Sequence, residues 1–183
     1  PHRLISIDAT WAFVRIGNRP SDTLRYILNS YKRYRMSDPK ESAERLAEIA
    51  RLSLGNADAR RLLDELAAAA SRLLDLPIGL VSVVLSDAQW FAGQTGLTGW
   101  LAAVGGTPRE WSFCSTVVET GEPLVIPDAA TDPRFASNLL VVHEGIRCYI
   151  GVPLITRAGH VIGSLCALGD AARRVDSRQI VSL

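Results

Sequence analysis

Between Pro39 and Pro77 the apolar residues recur at helical spacing, and beyond Pro77 they collect into short runs of strand length. Ala43, Leu46, Ala47, Ala50 and Leu54 share one helical face. Asp38-Pro39-Lys40-Glu41 supplies the start, with Asp38 as cap, Pro39 in the first turn and Glu41 completing a capping-box-like arrangement, and Gly55 is the expected stop. A second helix is expected from Asp58, its broad stripe made of Leu62, Leu63, Leu66, Ala67, Ala70, Leu73 and Leu74, closed by Pro77. Ile78–Leu85 then reads as a buried strand, Ser86-Asp87-Ala88 as a turn and Gln89–Thr95 as the returning strand. Residues 97–108 hold Gly99, Gly105, Gly106 and Pro108 and predict a flexible loop. Thr107 or Ser112 opens a short helix carrying Phe113, Cys114, Val117 and Val118, ended by Gly121. Leu124–Ile126 is a short strand, Asp128–Ser137 a turn with one helical turn, and Asn138–Glu144 a loop or short helix.

Two long apolar runs, Arg147–Thr156 and His160–Leu168, flank Arg157-Ala158-Gly159 and predict an antiparallel hairpin. Neither run alternates cleanly, so both faces are expected to be covered and the hairpin to lie mid-sheet. Consecutive strands joined as hairpins, with helices before, between and after them, predict a largely antiparallel sheet with helices on its faces. Asp176-Ser177 opens a further helix, cut off at Leu183.

Charge divides the chain. Net charge is +1, yet residues 1–36 carry seven basic groups against Asp8 and Asp22, so a separate basic arm (1–36) is expected before a domain at 37–183. Within the arm, residues 4–16 alternate as an edge strand would, and Ser21 caps a helix running into Tyr31-Lys32-Arg33-Tyr34-Arg35. Basic residues interleaved with aromatics suit a nucleic-acid backbone, and suit equally a helix packed on its neighbour with charges in water. Met36 is the only methionine and a natural start, so residues 1–35 either belong to the functional protein or precede it.

An apolar content of 48% fits a filled core rather than disorder. The longest apolar run is a strand's worth, short of the ~20 residues of a membrane span. Three widely spaced cysteines form neither a disulfide framework nor a metal spacing. With no export pattern at Pro1-His2-Arg3, a cytoplasmic location with reduced thiols is expected.

Several ordered blocks then carry a resemblance: Asp87-x-Gln89-Trp90-Phe91, Thr107-Pro108-Arg109-Glu110-x-Ser112-Phe113-Cys114, Glu122-Pro123-Leu124-Val125-Ile126-Pro127-Asp128-Ala129, Asp132-Pro133-Arg134-Phe135, Gly145-Ile146-Arg147-x-Tyr149-x-Gly151-x-Pro153-Leu154 and Gly159-His160-x-Ile162-Gly163-x-Leu165-Cys166. Together they span residues 38 to about 180, and in order and spacing they resemble the GAF domains of bacterial signalling proteins. The resemblance implies an α+β fold: a central antiparallel sheet of six strands, terminal helices on one face, and a ligand pocket under short helices and loops on the other. It implies a non-enzymatic sensory or dimerising module that acts on an output domain beyond this sequence. One departure stands out. The family usually has an Asn-Pro step and a longer loop before Gly-Ile-Arg, whereas Asn138–Glu144 is more apolar here.

On that ligand face the expected pocket residues are Trp90, Trp111, Phe113, Cys114, Val117, Phe135, Tyr149 and Gly151, with Asp128 as a candidate hydrogen-bonding group. Each ring also reads as plain core filling. Asp128 and Asp132 read equally as turn caps, and Arg134 and Arg147 as partners in ion pairs rather than anion ligands. Cys114, at a helix start, is a candidate redox or chromophore thiol, or an inert core thiol. Cys148 and Cys166 fall on opposite faces for a two- or four-residue turn and on one face for a three-residue turn, and no disulfide is expected. His143 and His160 have no metal-ligand spacing, and His160 is expected to be exposed. No cofactor is required, and nothing selects among haem, bilin, flavin and nucleotide.

Two further functions are open. One is a thiol enzyme or sensor of the same fold, similar to free methionine sulfoxide reductases, which needs two cysteines close in space; the helix and strand positions do not obviously supply them. The other is nucleic-acid binding through the basic arm. A homodimer through the N- and C-terminal helices is expected.

Overall fold

The computed structural model describes residues 39–174. The expected strand at 4–16, the helix from Ser21, the Asp38 cap, the basic arm and the helix from Asp176 lie outside the described residues.

Two helices come first, α1 (Pro39–Arg51) and α2 (Ala57–Leu74). The first ends at Arg51, ahead of Gly55, because Ser53 takes the left-handed conformation that breaks it (φ 48°). The second is capped by Asn56, whose side chain accepts from Ala59 N at 2.8 Å, so Asp58 sits in the first turn rather than at the cap. Asp75 in the left-handed conformation ends it.

Six strands follow: β1 (Ile78–Val84), β2 (Ala88–Thr95), β3 (Gly106–Pro108), β4 (Leu124–Ile126), β5 (Cys148–Ile155) and β6 (Val161–Gly169). They form one sheet in the order β3-β2-β1-β6-β5-β4, every neighbouring pair antiparallel. The β5–β6 ribbon is interior, as its two-sided apolar pattern predicted. Between the strands lie α3 (Gly99–Val104), α4 (Phe113–Thr120) and α5 (Leu139–Val142).

Residues 97–108 are not a flexible loop. They form α3 and β3, with Gly105 as the left-handed cap of α3 (φ 66°) and Gly106 paired with Trp90. Glycines that read as loop signals act here as punctuation between two short elements.

Side chains of the sheet divide cleanly by face. Val81, Val83, Ala92 and Leu165 pack against Ala67 and Ala70 of α2, with Ile49 of α1 and Leu54 against the same cluster. Cys148, Ile150 and Ala167 meet Leu74 and Leu76 on that side. Small residues let α2 approach backbone to backbone: a Cβ on Gly79 would lie 2.0 Å from the Ala67 carbonyl oxygen, and one on Gly93 2.3 Å from that of Leu63. Polar latches fix the same contact. Asp64 accepts from Gln94 N at 2.7 Å, Arg60 donates to the Phe91 carbonyl at 3.1 Å, and the buried Arg45 of α1 donates to the Val84 carbonyl.

Candidate functional site

The opposite face of the sheet is roofed by α3, α4 and α5. Its core gathers Leu80 and Val84 from β1, Phe91 from β2, Ile126 from β4, Tyr149 from β5 and Cys166 from β6. Helix α4 starts at Ser112, as one of the two expected starts had it; its Oγ accepts from Ser115 N at 3.1 Å and donates to the Gln89 amide oxygen. Asn138, buried, caps α5 through Leu140 N (2.9 Å) and donates to the Trp111 carbonyl (3.0 Å), tying two parts of the roof together. Trp100 Nε1 donates to Glu144 at 2.9 Å across the outer edge.

Beneath this roof lies an almost wholly apolar cavity of about 20 Å³, room for one water-sized molecule. Phe113, Cys114 and Tyr149, all expected in the pocket, line it. Val117 and Phe135 belong to the same cluster without bordering the cavity, Phe135 packing on Phe113 with ring centroids 5.2 Å apart. Trp111 is partly buried at the margin, edge-on to Trp100. Gly151 lies under the Tyr149 phenol: a Cβ there would sit 2.3 Å from Tyr149 Oη and 2.6 Å from Ser164 Oγ.

Two expected pocket residues are placed elsewhere. Trp90 packs on the helical side of the sheet, because alternation along β2 turns Phe91, not Trp90, toward the cavity. Asp128 is held by Arg147 in a two-pronged ion pair (2.7 and 2.8 Å) and also accepts from Ala130 N, so both prongs of the carboxylate are used. Those hydrogen bonds hold the Asp128 carboxyl below its ordinary pKa and raise that of Arg147. Asp132 and Arg134 pair likewise, with Arg134 over the Phe135 ring at 5.0 Å.

Sequence reasoning missed Leu80, Phe91, Leu101, Leu140, Ile146 and Cys166 on the lining. Cys166 was recoverable only from the hairpin register. The turn is a three-residue one, with Thr156 N donating to the His160 carbonyl, which alone would put Cys148 and Cys166 on one face. A bulge at Leu154/Ile155 shifts the register, pairing Gly151 with Cys166 and Cys148 with Gly169, so the two cysteines end on opposite faces. His160, expected to be exposed, is partly buried beside the turn.

The same register supplies what the helix and strand positions did not obviously offer, two cysteines close in space. Cys114 Sγ and Cys166 Sγ are 3.7 Å apart, both buried at the cavity wall, and Tyr149 Oη donates to Cys114 Sγ at 3.3 Å while lying 3.2 Å from Ser164 Oγ. All three cysteines are free thiols. Among the described residues no cluster of three or more metal-binding side chains occurs, and no helix is long and apolar enough to cross a membrane.

The family model described as "GAF domain" matches residues 58–181. The chain belongs to the GAF domain family. One curated relative of this GAF domain is the cyclic di-GMP phosphodiesterase PA2567 of Pseudomonas aeruginosa, 35% identical over 136 residues, which are 74% of this chain and 22% of that protein. The chain thus spans about a fifth of that relative's length. Among solved structures, the GAF domain of a phosphoenolpyruvate-protein phosphotransferase from Coxiella burnetii superposes with a TM-score of 0.54 at 15% identity, over 79% of this chain and 87% of that one. The free methionine-R-sulfoxide reductase of Neisseria meningitidis gives 0.53 at 17% identity, over 91% and 86%. At such identities the two structures speak for the fold alone.

Within this GAF fold the sulfur pair is electrostatically unequal. Burial pushes the Cys114 thiol up, but donation from Cys166 and Tyr149, with smaller help from Ser82 and Ser112, outweighs it and brings Cys114 down to about 7. Burial and the neighbouring Cys114 push Cys166 well up, and burial raises Cys148 on the far face. The two thiols are thus pushed in opposite directions, Cys114 down and Cys166 up.

Proposed function

We propose that this chain is the regulatory GAF module of a bacterial signal-transduction protein, without catalytic activity of its own, which dimerises through α2 and answers to a small molecule on the α3–α5 face. The observation that carries the reading is the outer surface of α2. Leu62, Leu66 and Leu73 are exposed (65%, 40% and 49%), and with the exposed Ala69 they fall at 4-3-4 spacing. That is the a/d pattern of a coiled-coil seam, and it lies about 100° around the helix from the face that Ala67, Ala70 and Leu74 press into the sheet. A stripe of this spacing fits a second copy of the same helix. The cavity is too small for more than one water-sized molecule, so a larger ligand enters only if the α3–α5 roof moves outward. Phe113, Cys114 and Tyr149 would then be its first contacts. Output would come from a domain beyond this sequence.

Sedimentation equilibrium of the 183-residue chain tests the reading, with Leu66→Glu as the variant. The expected result is a wild-type dimer whose dissociation constant rises at least about tenfold when a charge enters the seam. A wild-type monomer at high concentration, or a dimer indifferent to Leu66→Glu, would overturn it.

A further inference from the structure

We propose that Cys114 and Cys166 form a redox modification site, oxidised by small hydroperoxides to a reversible disulfide that ties α4 to β6 across the cavity. Three observations carry this, and none depends on the module being a dimer or binding a ligand. The sulfurs are already in contact at 3.7 Å, from residues 52 positions apart in the chain. Both border a cavity with room for a water-sized molecule, which suits hydrogen peroxide better than a bulky organic peroxide. Tyr149 Oη stands against Cys114 Sγ and is held in turn near Ser164, so a donor that steadies a developing thiolate is in place. Among the described residues, Cys148, on the helical face, has no second thiol against it and does not line the cavity.

The chemistry balances as follows. The Cys114 sulfur attacks one oxygen of the peroxide, an S–O bond forms, the O–O bond breaks, and the Cys114 proton ends on the departing oxygen. This leaves a sulfenic acid on Cys114 and one water when the oxidant is hydrogen peroxide. The Cys166 sulfur then attacks the Cys114 sulfur, the S–O bond breaks, and the hydroxide leaves as a second water with the Cys166 proton. Two electrons pass from the two sulfurs to the peroxide. Bond formation brings the sulfurs from 3.7 Å to about 2.0 Å, within reach of side-chain rotation and a small shift of α4.

The test uses the reduced, folded chain exposed to hydrogen peroxide, quenched by alkylation in denaturant and mapped by peptide mass spectrometry. The expected result is a Cys114–Cys166 cross-linked peptide, cleaved by dithiothreitol, forming about tenfold or more faster than any oxidation of Cys148. Cys166→Ser should stop the reaction at a dimedone-trappable sulfenic acid on Cys114, and Cys148→Ser should leave the cross-link unchanged. Circular dichroism checks that each variant is folded. The proposal is overturned if Cys114 and Cys166 stay alkylatable in the folded wild type while a free thiol peptide in the same tube is consumed. Sulfinic acid on Cys114 without the cross-link, or oxidation of Cys148 at the same rate, also overturns it.

Discussion

Gly151→Ala probes the polar knot at the cavity wall more directly than any deletion of its members. The new Cβ would lie 2.3 Å from Tyr149 Oη, 2.7 Å from its Cζ and 2.6 Å from Ser164 Oγ. Ordinary contact is near ~3.5 Å, so something must retreat by about 1 Å. Tyr149 is fully buried against Phe113, with the ring centroids 5.3 Å apart, and the space it borders is the cavity of about 20 Å³, room for one water and not for the ring. Overpacking of this kind costs about 1–3 kcal/mol. Displacing the phenol also breaks its contacts to Cys114 and Ser164, about 1 kcal/mol each. The sum of roughly 3–5 kcal/mol is a large share of a domain's stability and should lower the melting temperature by about 6–20 °C. Urea unfolding followed by circular dichroism measures it, with Gly55→Ala as control, since nothing lies within 4 Å of a Cβ there. Adding Tyr149→Phe to Gly151→Ala should recover part of the loss, because the closest atom is then gone. If Gly151→Ala melts with the Gly55→Ala control, the phenol does not lie where the reasoning needs it.

Other expectations concern the helical face and the surface. Gly79→Ala should destabilise by more than ~3 kcal/mol, since its Cβ meets the Ala67 carbonyl at 2.0 Å and a backbone cannot rotate away; hydrogen exchange should show α2 as the element that loosens, and unchanged protection there would contradict the backbone-to-backbone seating. Asp128 has a lowered folded-state pKa through its Arg147 hydrogen bonds. Its contribution is therefore full above the unfolded carboxylate value of about 3.9 and fades as pH falls through the lower folded value. Asp128→Asn should flatten the acid limb of a stability-versus-pH curve, and an unaltered limb would show the pair to be inert.

The strands were legible where their pattern was strong, and the site was legible only by element. Ile78–Leu85 and the two arms of the β5–β6 ribbon announce themselves by length and apolarity, and the ordered blocks around Phe113, Asp128 and Gly151 fixed the family. Face assignment was harder, because strands covered on both sides lose the alternation that tells inside from outside. Trp90 was drawn to the pocket by its aromaticity, although Phe91 next to it holds the inward position. The cysteine pair was hidden for a different reason. Whether Cys166 meets Cys114 depends on one bulge at Leu154/Ile155, a single-residue choice that no composition or spacing records.

That bulge also decides how the two faces can communicate. With Cys166 turned to the cavity, its neighbours Leu165 and Ala167 face the helices, and Ala167 pairs with Gly79, the residue on which the α2 backbone rests. A displacement of β6 at Cys166 therefore reaches α2 through a main-chain ladder and a glycine contact. Side-chain torsions absorb small shifts by changing rotamer, whereas backbone pressed on backbone has no such slack. The stripe Leu62–Leu66–Ala69–Leu73 lies about 100° around the same helix from its sheet-packed face, so in the proposed dimer a rigid α2 would carry any tilt imposed at Gly79 into the geometry of the interface. A larger side chain at Gly79 should accordingly disturb the proposed dimer as well as the fold, while one at Gly55, in open space, should disturb neither.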